Sequence, residues 1–261
     1  MHRSLFALSL LLSSTPALAA MQAKPIEWKV GKDSFSGYLV YDDANAIKRP
    51  GLVMIPNWMG VNDSAVEKAK QVAGDDYVVL LADVYGKGVH PKDAEEAGEQ
   101  AHKAYIDGGV TLRARAQAAV DLLKAQKGKV PVDESRIGAF GFCFGGSVVL
   151  ELARSGSDIR GVVSLHGGLD SYLPVKDGTI RTSILALNGA DDSSVTDQNI
   201  VDFEKEMSAA KADWQLVDFG GAVHCFTQPE SNDPPNCVYN ERATKRAFRM
   251  MHDFFAERFA Q

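Results

Sequence analysis

The chain has 261 residues, of which 45% are hydrophobic and 24% charged, and carries a formal net charge of −6 at pH 7. That length suits one α/β domain with a sizeable buried core. Mild acidity without a basic stripe excludes a general attraction for nucleic acid or anionic lipid, which leaves a small molecule as the expected partner.

Residues 1–19 read as a secretory signal peptide. His2-Arg3 precedes the apolar run 5–12, and Ala17-Leu18-Ala19 supplies an A-x-A cleavage signature. The apolar run is too short to cross a bilayer, and no later stretch reaches spanning length, so no membrane span is expected in the mature chain. Export to the periplasm or beyond the cell follows. With no internal repeat, low-complexity tract or linker, residues 20–261 are expected to form a single domain.

Residues 26–30 and 35–41 alternate as an antiparallel pair around a turn at 31–33. Residues 51–56 are an apolar run suited to a central parallel strand, and the loop Asn57-Trp58-Met59-Gly60 follows it. A helix begins near Asp63, with Ala65, Ala69 and Val72 at helical spacing; 77–82 is the next buried strand. Residues 91–127 read as helix with a break near Gly108-Gly109, and 112–123 is its better amphipath. Strands follow at 136–141, 161–165, 182–187 and 214–219. A helix is expected at 147–153, and another closes the chain at 241–259. Strands alternating with helices imply a mostly parallel sheet covered on both faces, with an antiparallel N-terminal hairpin and functional residues at strand C-terminal ends.

The segment Gly141-Phe142-Cys143-Phe144-Gly145-Gly146 lies between one such strand and its helix. A Gly-x-nucleophile-x-Gly turn in that position is the nucleophile elbow of the α/β-hydrolase fold, here with cysteine where serine is usual. Glycines permit so sharp a turn, and the turn sets the Cys143 sulfur at the positive end of the helix dipole. The alternative is a buried core cysteine beside a glycine-rich turn.

A thiol nucleophile needs a base, and the base an orienting carboxylate, in the chain order acid then histidine. The loop Asn188-Gly189-Ala190-Asp191-Asp192 follows one strand and Gly220-Gly221-Ala222-Val223-His224 another. Asp192 is preferred as the acid because Asp-x-x-Val leads such a loop into its helix, with Asp191 as the alternative; His224 is the base. His166, at another strand end, precedes both aspartates and suits a pocket or hydrogen-bonding role better. The backbone N–H groups of Phe144 and Trp58 are the expected oxyanion donors. No grouping of His, Cys and acid has metal-ligand spacing.

With these residues the mature chain resembles the dienelactone hydrolase family of α/β hydrolases. The likeness rests on the elbow, on Asp83-Val84-Tyr85, on the 188–192 loop and on Ala222-Val223-His224-Cys225-Phe226. It implies Cys143, Asp192 and His224 as a triad that hydrolyses lactones or esters through a thioester, without cofactor or metal. A broader carboxylesterase, an acyltransferase and a non-catalytic binding protein are the alternatives on this fold.

The chain also departs from the family. Asn57 stands where characterised members carry a glutamate that contacts the resting thiol, and Lys87 and Gln228 stand where two arginines receive the substrate carboxylate. Trp58, Tyr85 and Phe226 are expected as the apolar pocket wall. Dienelactones should then bind weakly, and neutral short-chain esters or lactones should be preferred. Of the three cysteines, Cys225 and Cys237 are free to pair in an oxidising compartment; two unpaired thiols are the alternative.

Overall fold

The computed structural model describes residues 21–260, apart from 45, 176, 177 and 179; segment 1–19, read from the sequence as a signal peptide, lies outside the described residues. Strands β1 (Met21–Val30), β2 (Asp33–Asp42), β3 (Arg49–Ile55), β4 (Val78–Ala82), β5 (Val132–Phe142), β6 (Gly161–Leu165), β7 (Ser183–Gly189) and β8 (Trp214–Phe219) form one sheet. Its order is β1-β2-β4-β3-β5-β6-β7-β8. β1 and β2, and β2 and β4, pair antiparallel. Every other neighbouring pair is parallel. This is the expected α/β-hydrolase arrangement.

β4, β6 and β7 are buried at every position, as strands covered on both faces must be, and that is why they appear in the sequence as unbroken apolar runs. Helices α1 (Asp63–Ala73) and α6 (Glu241–Phe259) cover one face. There Ala65, Ala69 and Ala73 of α1 and Ala247, Met251 and Phe255 of α6 meet the sheet. Helices α3 (Val110–Lys124), α4 (Phe144–Arg154) and α5 (Asp197–Ala209) cover the other, through Leu112, Ala116 and Val120, Val148 and Leu152, and Phe203 and Met207. No helix among the described residues is long and apolar enough to cross a membrane.

Several boundaries differ from the sequence reading. β1 starts at Met21, five residues early, because as an edge strand it needs one partner only, and Pro25 is tolerated there opposite Tyr38. The expected break at 108–109 is real: α2 (Ala94–Ala104) ends before it, and both glycines adopt left-handed φ, 72° and 93°. α4 starts at Phe144, directly after the turn, three residues earlier than periodicity suggested. α5 is set by a capping box between Thr196 and Asn199, which apolar spacing does not reveal. A two-residue hairpin, β9 (Asn232–Asp233) with β10 (Cys237–Val238), was also not foreseen.

Helix α4 is anchored by a buried ionic cluster. Glu151, 2% exposed, accepts from Arg113 Nε at 2.7 Å, and Arg154 donates to Glu206 at 2.8 Å and to the Leu169 carbonyl at 2.7 Å. Removing one partner from such a cluster strands a buried charge, so the network holds the elbow helix in one position.

Candidate active site

The loops that follow β3, β5, β7 and β8 carry Asn57 and Trp58, Cys143, Asp192 and His224 in turn, and all open at the C-terminal edge of the parallel sheet. Cys143 forms the turn between β5 and α4 with φ 53° and ψ −119°. Its N–H donates to the Leu165 carbonyl at 3.0 Å and its own carbonyl accepts from Ser147 N–H at 3.1 Å. The strained backbone is therefore at the cysteine, whereas the glycines are required for space. A Cβ at Gly141 would collide with the Gly145 carbonyl, and one at Gly145 with the Ile55 carbonyl. Cys143, His166 and Cys225 are three of the four non-glycine residues with positive φ among the described residues, so backbone strain concentrates around this site.

The three polar side chains form a series. His224 Nε2 lies 3.0 Å from Cys143 Sγ, and His224 Nδ1 lies 2.7 Å from Asp192 Oδ2. Asp192 is buried, whereas the alternative Asp191 is exposed and reaches the neighbouring loop only through its backbone N–H, to the Ala222 carbonyl. The other Asp192 oxygen accepts from the backbone N–H of Ser194 at 2.9 Å and from its hydroxyl. Burial alone would raise the Asp192 carboxyl, but hydrogen bonds from His224 and Ser194 hold it below its ordinary range. Burial likewise opposes charge on His224. The hydrogen bonds to Asp192 and Cys143 and the charges of both outweigh it, and the imidazole is raised to about 10.

The His224 loop is tied down from behind. Cys225 and Cys237 are joined by a disulfide with Cα atoms 5.0 Å apart, and Val238 N–H donates to the His224 carbonyl at 3.1 Å. Cys143 is the free cysteine, partly exposed.

These groups open into a cleft of about 560 Å³ whose wall includes Asn57, Trp58, Phe142, Cys143, His224 and Gln228. Asn57 Nδ2 donates to Gln228 Oε1 at 2.5 Å, and Asn57 Oδ1 accepts from Met59 N–H at 3.0 Å. Phe144 is the first residue of α4, so its N–H is among those without an intrahelical acceptor.

Three of the residues expected to line the pocket, Lys87, Phe226 and His166, do not. Lys87 stands on an open surface, paired with Glu27 at 2.8 Å, because its segment is held to β2 by Lys87 N–H donating to the Ser34 carbonyl. Tyr85, expected in the apolar wall, packs its ring against Phe144 at 5.2 Å and donates its hydroxyl to the carbonyl of the cleft residue Trp58 at 3.0 Å. Phe226 is fully buried against Phe219 and His166. His166 is fully buried as well. Its Nε2 is 2.7 Å from Thr227 Oγ1 and its ring lies edge-on to His224 at 5.3 Å. Burial, then the neighbouring His224 and Lys68 charges, push His166 far below its ordinary value, so it is neutral.

Sequence reasoning missed Ser194, Thr227 and Lys68. Ser194 had a local signal, since a serine two residues after an aspartate is a common side-chain turn. Thr227 and Lys68 had none, because their positions depend on how α1 and the His224 loop pack.

Comparison with known proteins follows the same lines. A family model described as the dienelactone hydrolase family matches residues 35–259. The crystal structure of a dienelactone hydrolase-like promiscuous phosphotriesterase, P91, from metagenomic libraries is 35% identical with a TM-score of 0.83, covering 92% of this chain and 99% of that one. An uncharacterised Caenorhabditis elegans protein, K02A2.1, is 36% identical over 157 residues, 57% of this chain and 95% of that protein. Dienelactone hydrolase from Anabaena variabilis shares the fold at 19% identity, with a TM-score of 0.63 over 91% of this chain and 98% of that one.

Proposed function

The chain belongs to the dienelactone hydrolase family, and from that premise we propose that it hydrolyses small lactones or carboxylic esters through a thioester on Cys143. His224 serves as the acid and base, and Asp192 as its orienting partner. The observation that carries this reading is the unbroken series from sulfur to Nε2 at 3.0 Å and from Nδ1 to Asp192 at 2.7 Å, at the wall of an open cleft.

With the proton held on His224 Nε2, the sulfur attacks the carbonyl carbon and a C–S bond forms. The carbonyl oxygen takes up negative charge opposite the N–H groups of Phe144 and Trp58, donors that need no reorganisation at that moment. The intermediate collapses, the alkoxide leaves, and His224 gives it the proton. Neutral His224 then removes a proton from the water that attacks the thioester. The C–S bond breaks, the acid departs, and the proton returns to the sulfur–imidazole pair. Asp192 holds Nδ1 protonated throughout, which keeps Nε2 aimed at the sulfur.

The experiment is a panel of p-nitrophenyl esters, lactones and a dienelactone, with acid-quenched mass spectrometry for acyl mass on Cys143. Because the P91 relative is a promiscuous phosphotriesterase, a neutral phosphotriester belongs in the panel as a second electrophile. Turnover with an acyl-Cys143 adduct is expected, and Cys143→Ala should abolish both while leaving the melting curve near that of the wild type. Residual hydrolysis within tenfold in Cys143→Ala would overturn the assignment.

The signal-peptide reading also makes the protein exported, to the periplasm or outside the cell. The bridge between Cys225 and Cys237 supports this, since such bridges persist in oxidising compartments. Mass spectrometry of the protein from its own cells should find a mature N-terminus at residue 20; an intact residue 1–19 segment would overturn it.

A further inference from the structure

Helix α1 turns Ser64, Ala65 and Lys68 towards the cleft, one helical turn presenting all three. Lys68 is partly buried there. Its Nζ stands 4.6 Å from the ring centre of Phe142, the residue before the nucleophile, and its hydrogen-bond acceptor is the Thr227 carbonyl at 3.5 Å. An ammonium has three donors, and one long bond to a carbonyl leaves donors to spare on the cleft side. Among the described residues no carboxylate lies within 4.0 Å of it. The acid that acts on it from farther away, Glu230, accepts instead from the Ser64 hydroxyl at 3.3 Å. Burial lowers the Lys68 ammonium from its ordinary value, with Glu230 opposing.

Lys87 makes the contrast. It already has Glu27 at 2.8 Å and stands away from the cleft. Gln228 carries no charge, and its amide oxygen is occupied by the hydrogen bond from Asn57. The expected preference for neutral substrates rested on Lys87 and Gln228, with Asn57 pointing the same way. A cation lining the same cleft as the nucleophile, with no carboxylate within 4.0 Å among the described residues, argues against it.

We infer that Lys68 is the anion-binding residue of this cleft, and that the ester or lactone it favours carries a carboxylate within reach of α1. The substrate class rests on the hydrolase reading of Cys143; the anion site does not. The ammonium over the Phe142 ring meets the carboxylate through charge-assisted hydrogen bonds, and the cation–π contact keeps the lysine stem folded into the cleft while it waits.

Two measurements separate the anion site from the hydrolase reading. The first is alkylation of Cys143 by iodoacetate and by iodoacetamide, which differ in charge and need no turnover. The ratio of the two rates should fall at least tenfold in Lys68→Met and return to within threefold of the wild type in Lys68→Arg. The second is release of p-nitrophenol from mono-p-nitrophenyl glutarate and from its methyl ester, where the ratio of kcat/KM values should fall in the same way, mainly through KM. If the alkylation ratio falls but neither ester is hydrolysed, the anion site stands and the hydrolase reading fails. If both esters are hydrolysed and neither ratio moves in Lys68→Met, the inference is overturned and the hydrolase reading stands.

Discussion

Asn57 donates its side-chain amide to Gln228 at 2.5 Å, and so ties the loop after β3 to the loop that carries His224. The other end of the same amide accepts from Met59 N–H at 3.0 Å, which fixes the turn containing Trp58. Asn57 therefore holds the proposed Trp58 oxyanion donor from one side while Tyr85 holds it from the other. Asn57→Ala is expected to lower kcat by one to two orders of magnitude, on the scale of a displaced oxyanion donor. Gln228→Leu, which leaves the Met59 bond intact, should cost less than tenfold. Equal losses in the two variants, or losses confined to KM, would mean that Asn57 acts on the substrate and not on the turn.

His166 is fully buried, so it has no surface to offer a substrate; its ring instead supports His224 edge-on at 5.3 Å. His166→Ala should destabilise the fold by about 3 kcal/mol through the cavity it leaves. It should also lower kcat about tenfold while KM changes little. His166→Phe keeps a ring against His224 and should recover most of kcat, although the Thr227 bond is lost. The sequence reading left a pocket or a hydrogen-bonding role open, and the Thr227 bond fits the second; a rise in KM as the main effect would favour the first.

The raised His224 imidazole makes stability depend on pH. Its folded value of about 10 lies above the ordinary value of 6.5, so the folded state binds that proton more tightly. The contribution is complete below about pH 6.5 and is lost as pH rises through about 10. Asp192 behaves oppositely: its lowered carboxyl contributes above its ordinary range, and that contribution is lost on acidification. Urea midpoints measured from pH 6 to 10.5 should fall more steeply for the wild type than for His224→Gln. Parallel curves would show that the Asp192–His224–Cys143 series does not hold the proton in solution.

The bridge between Cys225 and Cys237 spans 12 residues and flanks His224. In the chain-entropy model, closing so short a loop contributes about 3 kcal/mol. Reduction, or Cys237→Ser, should lower Tm accordingly. It should also reduce kcat, because the Val238 N–H bond to the His224 carbonyl is held in place by that closure. Mass mapping should find Cys143 outside any bridge. A disulfide that includes Cys143 would contradict the structure.

The order of the functional loops was legible without coordinates because each carries a local signature. The elbow needs glycines on both sides of Cys143, parallel strands buried on both faces need runs such as those at 78–82 and 161–165, and the acid and histidine follow in the required order. These are properties of neighbouring residues, and one chain is enough to display them. The pocket wall was legible only in part, at Asn57, Trp58 and Gln228, because its other members are brought together across the sheet from α1 and the segment closed by Cys225 and Cys237. Lys87 and Lys68 show the difference most plainly. In sequence, the resemblance put Lys87 at the pocket, as a weaker stand-in for an arginine that receives a carboxylate. In space, Glu27 on β1 neutralises it on an open surface, while Lys68, in a helix whose apolar face alone was read from the sequence, is carried into the cleft beside Phe142. Which cation faces a substrate depends on the packing of α1 against the sheet and on what neutralises its rivals, and only the tertiary structure decides either.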